Sequence, residues 1–378
     1  MEPPARIAKG LDGVLVGRSS IALVGGETGE LVYRGYDVRA LVPGVPYESV
    51  VHLLLFGEPP SRDPSPEVSR ALVAARAVRP DLLRAADAVP TGLPPLDALR
   101  TLLSLLGDGT EGYPPTREQG FRLIAQTPVL LARYVRRTQG LAPVPPRDDL
   151  GHAANYLWML AGREAPPTSV AALEGYLDLL ADHGMNASTF ALRVAISTES
   201  DLVSAAVAAL GTLKGPVHGG APSRVADMLD EIGSADRAEA WIRARLARKA
   251  VLYGFGHRAY KTDDPRGLLL HRIARGIADP KRLALAEAVE AAALGGLRRE
   301  KPGRRLFTNV EFYSAVVLEA VGLTRDLFTP TFAVARTVGW TAHALEQVRE
   351  NRLIRPDVEY TGGRAGPWPL PRGWDAPG

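Results

Sequence analysis

Three of the seven histidines stand in surroundings that suit chemistry. His218 lies in Lys214-Gly215-Pro216-Val217-His218-Gly219-Gly220, directly ahead of a helical stretch that opens near Ala221-Pro222. The positive end of a helix dipole disfavours a protonated imidazole. This predicts a neutral donor, suited to polarising a carbonyl or holding an enol. His257 follows Gly254-Phe255-Gly256, where glycines let backbone and ligand approach closely. Tyr260, Lys261, Asp263, Asp264, Pro265 and Arg266 come after it, and His183 heads His183-Gly184-Met185-Asn186-Ala187-Ser188-Thr189. A single glycine-flanked histidine is ordinarily a turn residue bonded to backbone. Three of them, with a carboxylate and several arginines downstream, point to a site.

Other chemistries fit less well. The chain has no cysteine, which excludes disulfides, thiolate nucleophiles and cysteine-based metal sites together. No pair of histidines has the spacing that places two ligands on one helix face, and no acidic residue joins a compact cluster, so no metal is expected. Gly25-Gly26-Glu27-Thr28-Gly29 lacks the lysine and spacing of a phosphate loop. A net charge of +3, evenly spread, gives no nucleic-acid footprint. Lys9, Lys214, Lys249, Lys261, Lys281 and Lys301 are the only lysines, so arginine is the dominant cation. Its planar fork suits carboxylates and phosphates, although codon preference explains the same bias.

Positioning these residues requires a sizeable core. With 378 residues, 46% of them hydrophobic and 23% charged, the chain has an ordinary globular balance and room for two or three compact units. No apolar run reaches the length of a membrane span. Met1-Glu2-Pro3-Pro4 opens no basic-then-apolar leader, so a cytoplasmic protein is expected. Residues 20–24 and 30–33 flank the glycine-rich turn and read as a small hairpin. Beyond it, helical periodicity dominates, as in Leu99, Leu102, Leu103 and Leu106, with prolines between the stretches. Residues 200–213 interleave alanines and glycine with Leu202, Val203, Val207, Leu210 and Leu213, which predicts a helix buried in the core or in a subunit interface. Trp368 and Trp374, in a tail rich in glycine and proline, suggest that this tail lies against protein.

Taken in order, the motifs resemble the citrate synthase family, in its dimeric bacterial and archaeal form. The match runs from Gly10-Leu11-Asp12-Gly13-Val14 and Tyr33-Arg34-Gly35-Tyr36-Asp37 through the three histidine segments. It continues with Asp264-Pro265-Arg266, Asn309-Val310-Glu311-Phe312-Tyr313-Ser314, Gly339-Trp340-Thr341-Ala342-His343 and Asn351-Arg352-Leu353-Ile354-Arg355-Pro356. The resemblance implies a metal-free condensation of acetyl-CoA with oxaloacetate, followed by hydrolysis of the citryl thioester. Coenzyme A would enter and leave as a co-substrate, with no permanently bound cofactor. By the same match, Glu311 takes the α-proton, His218 holds the thioester oxygen and His257 polarises the ketone. Arg266, Arg336 and Arg355 would clamp the carboxylates with His183 beside them, and Lys261, Arg304 and Arg305 would meet coenzyme A phosphates.

The fold implied is all-α, with two helical domains and a minor N-terminal β-hairpin. Residues 1–219 and 324–378 would form the larger domain and residues 220–323 the smaller, with His218 at the junction. A homodimer is expected, since the family's counterpart of Arg355 reaches the neighbouring subunit's site. Three positions depart from the family pattern: Glu311 replaces its aspartate, Ala315 a glycine and Pro222 an asparagine. Glutamate adds about 1.5 Å of reach. The departures leave two alternatives open, a 2-methylcitrate synthase using propionyl-CoA and a catalytically weak homologue with a binding or regulatory role.

Overall fold

The computed structural model describes residues 7–107, 109, 112–257, 259–301, 303 and 306–363. Residues 14–19 run exposed, without regular structure, into a small antiparallel sheet of β1 (Ala22–Gly25), β2 (Glu30–Tyr33) and β3 (Tyr36–Asp37). Ala22 pairs with Tyr33 and Gly25 with Glu30, which is the expected hairpin. The two-residue β3 was not foreseen. Arg34 and Gly35, both at positive φ, turn the chain back so that Tyr36 pairs with Tyr33.

Helices follow almost without interruption. They are α1 (Val38–Leu41), α2 (Tyr47–Phe56), α3 (Pro66–Ala75), α4 (Pro80–Asp87), α5 (Pro95–Ser104) and α6 (Arg117–Thr138). Next come α7 (His152–Ala161), α8 (Pro167–Leu180), α9 (Ala187–Ser197) and α10 (Leu202–Leu213). Then follow α11 (Ala221–Ile232), α12 (Ala238–Ala247), α13 (Pro265–Ile277), α14 (Pro280–Glu300), α15 (Val310–Ala320) and α16 (Phe328–Gln347). Local chemistry sets many of the starts. Proline stands in the first turn of α3, α4, α5, α8, α11, α13 and α14, where its missing N–H costs nothing. Thr116 and Gln119 form a reciprocal capping box on α6, and Asn186, Asp201, Asp264 and Asn309 cap α9, α10, α13 and α15.

Helix α16 is the axis of the molecule. It packs against α2, α5, α6, α8, α9, α10 and α11, and nearly every residue from Phe328 to Ala344 is buried. Helix α10 buries Leu202, Ala205, Ala206, Ala209 and Leu213 against this core, while Ser204, Ala208 and Gly211 face outward. Within residues 220–323, α11 and α13 pack on α15 and α12 packs on α14; α13 and α15 then meet α8. Trp368 and Trp374 lie outside the described residues. Among the described residues, no helix is long and apolar enough to cross a membrane.

Two contacts bring α8 and α16 into register. The buried Tyr33 hydroxyl lies 2.9–3.2 Å from the carbonyls of Asp178, Leu179 and Asp182, closing the end of α8. Gly339 of α16 touches the chain just beyond: a Cβ there would sit 2.3 Å from Ala181 O and 2.6 Å from Asp182 Oδ1. Only glycine permits this approach. Gly339→Ala is therefore expected to cost about 1–3 kcal/mol by overpacking, read as a lower denaturation midpoint. An unchanged midpoint would contradict the direct helix-to-backbone packing.

Candidate active site

All but one of the buried candidates sit where an element ends or begins. His183 follows α8 in a tight turn, with Gly184 at φ +56 and its N–H donating to Asp182 Oδ2 at 2.8 Å. His218 sits in the turn between α10 and α11, its N–H bonded to Gly215 O. His257 lies on the loop before α13, Arg266 in the first turn of α13, and Glu311 in the first turn of α15. Arg336 projects from the middle of α16.

Backbone lacing holds the His257 loop to the start of α15. Gly256 N–H donates to Phe307 O at 2.7 Å, Asn309 N–H to Gly254 O at 3.0 Å, and Asn309 Nδ2 to Gly256 O at 2.9 Å. Asp264 adds a fourth tie by accepting from Val310 N–H while it grips Arg266 through both carboxylate oxygens. The hairpin tip covers the same loop. Gly26 O accepts from Lys261 N–H at 2.8 Å, and a Cβ on Gly26 would stand 2.5 Å from Ala259 O. This close approach accounts for the glycine-rich turn.

The structure brings His183, His218, His257, Arg266, Arg336 and Glu311 into one electrostatic neighbourhood. The His183 ring meets that of His257 edge-on at 5.3 Å, and its Nε2 lies 3.3 Å from the Tyr260 hydroxyl. His257 Nδ1 accepts N–H bonds from Ala259 and Tyr260 at 3.0 and 3.1 Å, so the ring proton sits on Nε2. Arg266 Nη2 is 3.4 Å from that Nε2. Two donors thus face one point, where a ligand oxygen satisfies both. His218 Nε2 lies 2.9 Å from Ser188 Oγ, which leaves Nδ1 as the nitrogen available to a substrate.

Burial sets the protonation states. It pulls His218 down to about 4 with help from Arg336, and His257 to about 4 with help from Arg266. His183 is lowered by burial and by the arginines and histidines around it. The neutrality expected of His218 from the helix end therefore has a larger cause in desolvation and a neighbouring cation. Glu311 moves the other way. Its Oε2 is buried with no hydrogen-bond partner, and burial, opposed by Arg266, raises the carboxyl to about 7. Arg336 is 1% exposed; its Nε donates to Leu180 O at 2.7 Å, but neither Nη has a partner. Burial lowers it to about 10, against the pull of Asp182, so the guanidinium stays charged at neutral pH.

Other candidates lie elsewhere. Arg355 is 76% exposed at the side chain and paired with Asp357, away from these residues in the single chain. Lys261 is exposed at the edge, beside the hairpin tip. Arg304 and Arg305 lie outside the described residues. Among the described residues, no three His, Asp or Glu side chains converge as a metal site requires. Tyr260, Ser188 and Asp264 were not singled out from the sequence as site residues. Asp264 alone carried a local signal, an aspartate ahead of Pro265 at a helix start.

The resulting cluster is cationic and largely buried, with neutral imidazoles and one carboxyl raised by burial. It suits a small dicarboxylate held by guanidinium groups, with proton abstraction beside it. The family model described as Citrate synthase, C-terminal domain, matches residues 10–357. The chain is 38% identical to the citrate synthase of Deinococcus radiodurans, covering 95% of this chain and 97% of that one. It is also 38% identical to the 2-methylcitrate synthase of Mycobacterium tuberculosis, covering 94% and 91%. The citrate synthase of Thermoplasma acidophilum, solved as a ternary complex with carboxymethyl coenzyme A and oxaloacetate, superposes with a TM-score of 0.89 at 27% identity, covering 97% of this chain and 99% of that one.

The protonation states have a checkable consequence. The unfolded chain binds protons on His218 and His257 between the ordinary 6.5 and about 4, where the folded chain does not. These groups therefore make stability rise with pH across that window and contribute nothing further above it. Glu311 opposes them, since it keeps a proton in the folded state up to about 7. Nitrogen-15 spectra at about pH 6 are expected to show neutral imidazoles at all three site histidines, with the His257 proton on Nε2. An imidazolium signal there would contradict the assignment.

Proposed function

The chain belongs to the citrate synthase family and catalyses its reaction, the condensation of acetyl-CoA with oxaloacetate and hydrolysis of citryl-CoA to citrate and CoA; from that premise we propose how its own residues divide the work. Arg336, with two unpartnered Nη atoms, and Arg266, held by Asp264, grip the oxaloacetate carboxylates, with His183 alongside. The ketone oxygen lies against His257 Nε2–H and Arg266. Glu311 Oε2 takes a methyl proton from the thioester; with the Ser188 hydroxyl turned from Asn186 to donate to its Nε2, His218 offers Nδ1–H to the enol oxygen. The enol carbon attacks the ketone carbon; the new alkoxide takes the Nε2 proton of His257 beside Arg266, and the proton that Glu311 removed passes back to the ring, so both groups return to their starting states. Water then cleaves the citryl thioester and CoA leaves.

Glu311 carries this reading. An α-proton of a thioester is very weakly acidic, and a buried carboxylate with an oxygen that meets no donor is unusually basic. Such a group gives a binding-only protein nothing, which favours catalysis over the regulatory alternative. The second reading, propionyl-CoA as donor, is supported by the equal identity to a 2-methylcitrate synthase. One methylene in an apolar pocket is worth only about 1–3 kcal/mol, so rates with the two donors decide between them.

Two further features belong to the proposal. Residues 220–323 carry His257, Arg266 and Glu311, whereas His183 and Arg336 belong to the rest of the chain. Movement of that unit about His218 would close the site over its substrates and exclude water. The protein would also be a cytoplasmic homodimer. Exposed Ser204, Ala208 and Gly211 on α10 offer a close-packing stripe. The segments bearing Leu15 (95% exposed) and Val358 (90% exposed) are extended arms in need of cover. Exposed Arg355 would then complete the partner's site, with Lys261, Arg304 and Arg305 serving coenzyme A. Chains carrying Arg355→Leu and chains carrying Arg336→Leu, each nearly inactive alone, are expected to regain activity when co-assembled; no recovery would place Arg355 outside the site.

Glu311→Gln should collapse turnover while leaving oxaloacetate binding nearly intact. Because the base must be ionised, kcat/KM for the acyl donor should fall as pH drops through about 7 and reach its plateau above. Glu311→Asp retracts the carboxylate and is expected to slow the enzyme on the order of 100-fold. A faster Glu311→Asp enzyme would mean that the backbone keeps the spacing usual for aspartate.

A further inference from the structure

A file of alternating charge runs through the core from one side of the site. Glu346 accepts from Arg193 and, through its other oxygen, from Ser20 N–H at 2.8 Å. Arg193 Nε and Nη2 both donate to His343 Nδ1, at 3.0 and 2.7 Å. That nitrogen carries a lone pair, so the ring proton sits on Nε2, which faces Asp182 Oδ1 at 3.2 Å. The two atoms are imperfectly aligned, and neither has another partner. Asp182 Oδ2 accepts from Gly184 N–H, and its negative charge supports the unpaired guanidinium of Arg336.

Helix geometry explains why these groups meet. Arg336, Gly339 and His343 lie at i, i+3 and i+7 on one face of α16. The missing side chain at Gly339 lets that face close around Ala181 and Asp182. Asp182 and His343 are completely buried, and neither is among the groups proposed to meet substrate. Both oxygens of Asp182 meet N–H donors, so an amide in its place would turn its own NH₂ against one of them. Burial alone would raise this carboxyl, but His343, Arg336 and Gly184 hold it low. Buried ionic files are rarely the most stable solution to core packing, and this one ends at two ligand-facing groups.

We infer that Asp182 and His343 are positioning residues for the dicarboxylate: Asp182 sets the turn that aims His183, and His343, braced by Arg193, fixes Asp182 behind Arg336. The inference rests on Arg336 gripping oxaloacetate. It predicts an effect on one substrate only. His343→Leu should raise the oxaloacetate KM roughly 10- to 100-fold, with kcat and the acyl-CoA KM changed far less. His343→Gln should restore most of the loss, since its Oε1 accepts from Arg193 while its Nε2 donates to Asp182. Asp182→Asn should resemble His343→Leu, and the double variant should be little worse than either single one, because the two act as a unit.

Steady-state kinetics in both substrates, with thermal denaturation of each variant, test this. His343→Asn, polar but too short to span from Arg193 to Asp182, decides the matter against His343→Gln should His343→Leu fail to fold. A lower melting point with unchanged oxaloacetate KM, or equal behaviour of the Asn and Gln variants, would overturn the inference. Arg336→Leu separates it from its premise. An unchanged oxaloacetate KM in that variant refutes the clamp and the inference with it, whereas a large increase there beside a silent His343→Leu refutes the positioning role alone.

Discussion

A guanidinium kept out of water is the constraint on which this structure depends. Arg336 sits inside a helix surrounded on all sides by other helices, with one nitrogen bonded to Leu180 O and two left unmatched. Burying a cation without partners is expensive, and the fold tolerates it because Asp182 supplies part of the balance from behind. The Phe332 ring, 4.8 Å from the guanidinium carbon, adds to it, and in the proposed reading a dianionic substrate would bring the rest. Under the clamp role proposed for Arg336, affinity for oxaloacetate would be prepared during folding, when the solvation of this guanidinium is given up, and completed on binding.

The same dehydration assigns the other roles. Removing water disfavours whichever form of a group is charged. It therefore keeps the site histidines neutral and raises the Glu311 carboxyl, which suits them to the roles proposed. The arginines lower the histidines further, but Arg266 also restrains Glu311, keeping its carboxyl near neutrality rather than far above it. A single environment thereby yields neutral imidazoles and a raised carboxyl side by side, the pairing that the proposed enolisation would need. The glutamate that replaces the family's aspartate is compatible with this scheme, because basicity here comes from burial and not from side-chain length.

Precision comes from short backbone ties between distant parts of the chain. The hairpin tip meets the His257 loop through Gly26 O and Lys261 N–H, and that loop is laced to the cap of α15 by Asn309 and Asp264. Asp264 serves at once as helix cap, as counter-ion to Arg266 and as acceptor for Val310. These ties fix the relative placement of His257, Arg266 and Glu311, which arise from three separate elements.

Much of this was legible in the sequence. Apolar spacing and the prolines between the stretches announced the helices, and two apolar stretches around a glycine-rich turn announced the hairpin, because each is a short-range effect of covalent geometry and hydrogen bonding. The order of the histidine, arginine and carboxylate motifs identified the family and its reaction. Other features were not readable. The strand at Tyr36–Asp37 depends on a turn at Arg34 and Gly35 that has no strong local signature. The neutrality of His218 was anticipated from its helix end, yet its main cause is burial beside Arg336. Nothing in the spacing of Arg193, Asp182 and His343 shows that they share one file, and Arg355 resembles a clamp while standing exposed in the single chain. Motifs record which groups are present; how far each is desolvated, and by what charge it is faced, is decided by everything packed around it and so belongs to the tertiary structure.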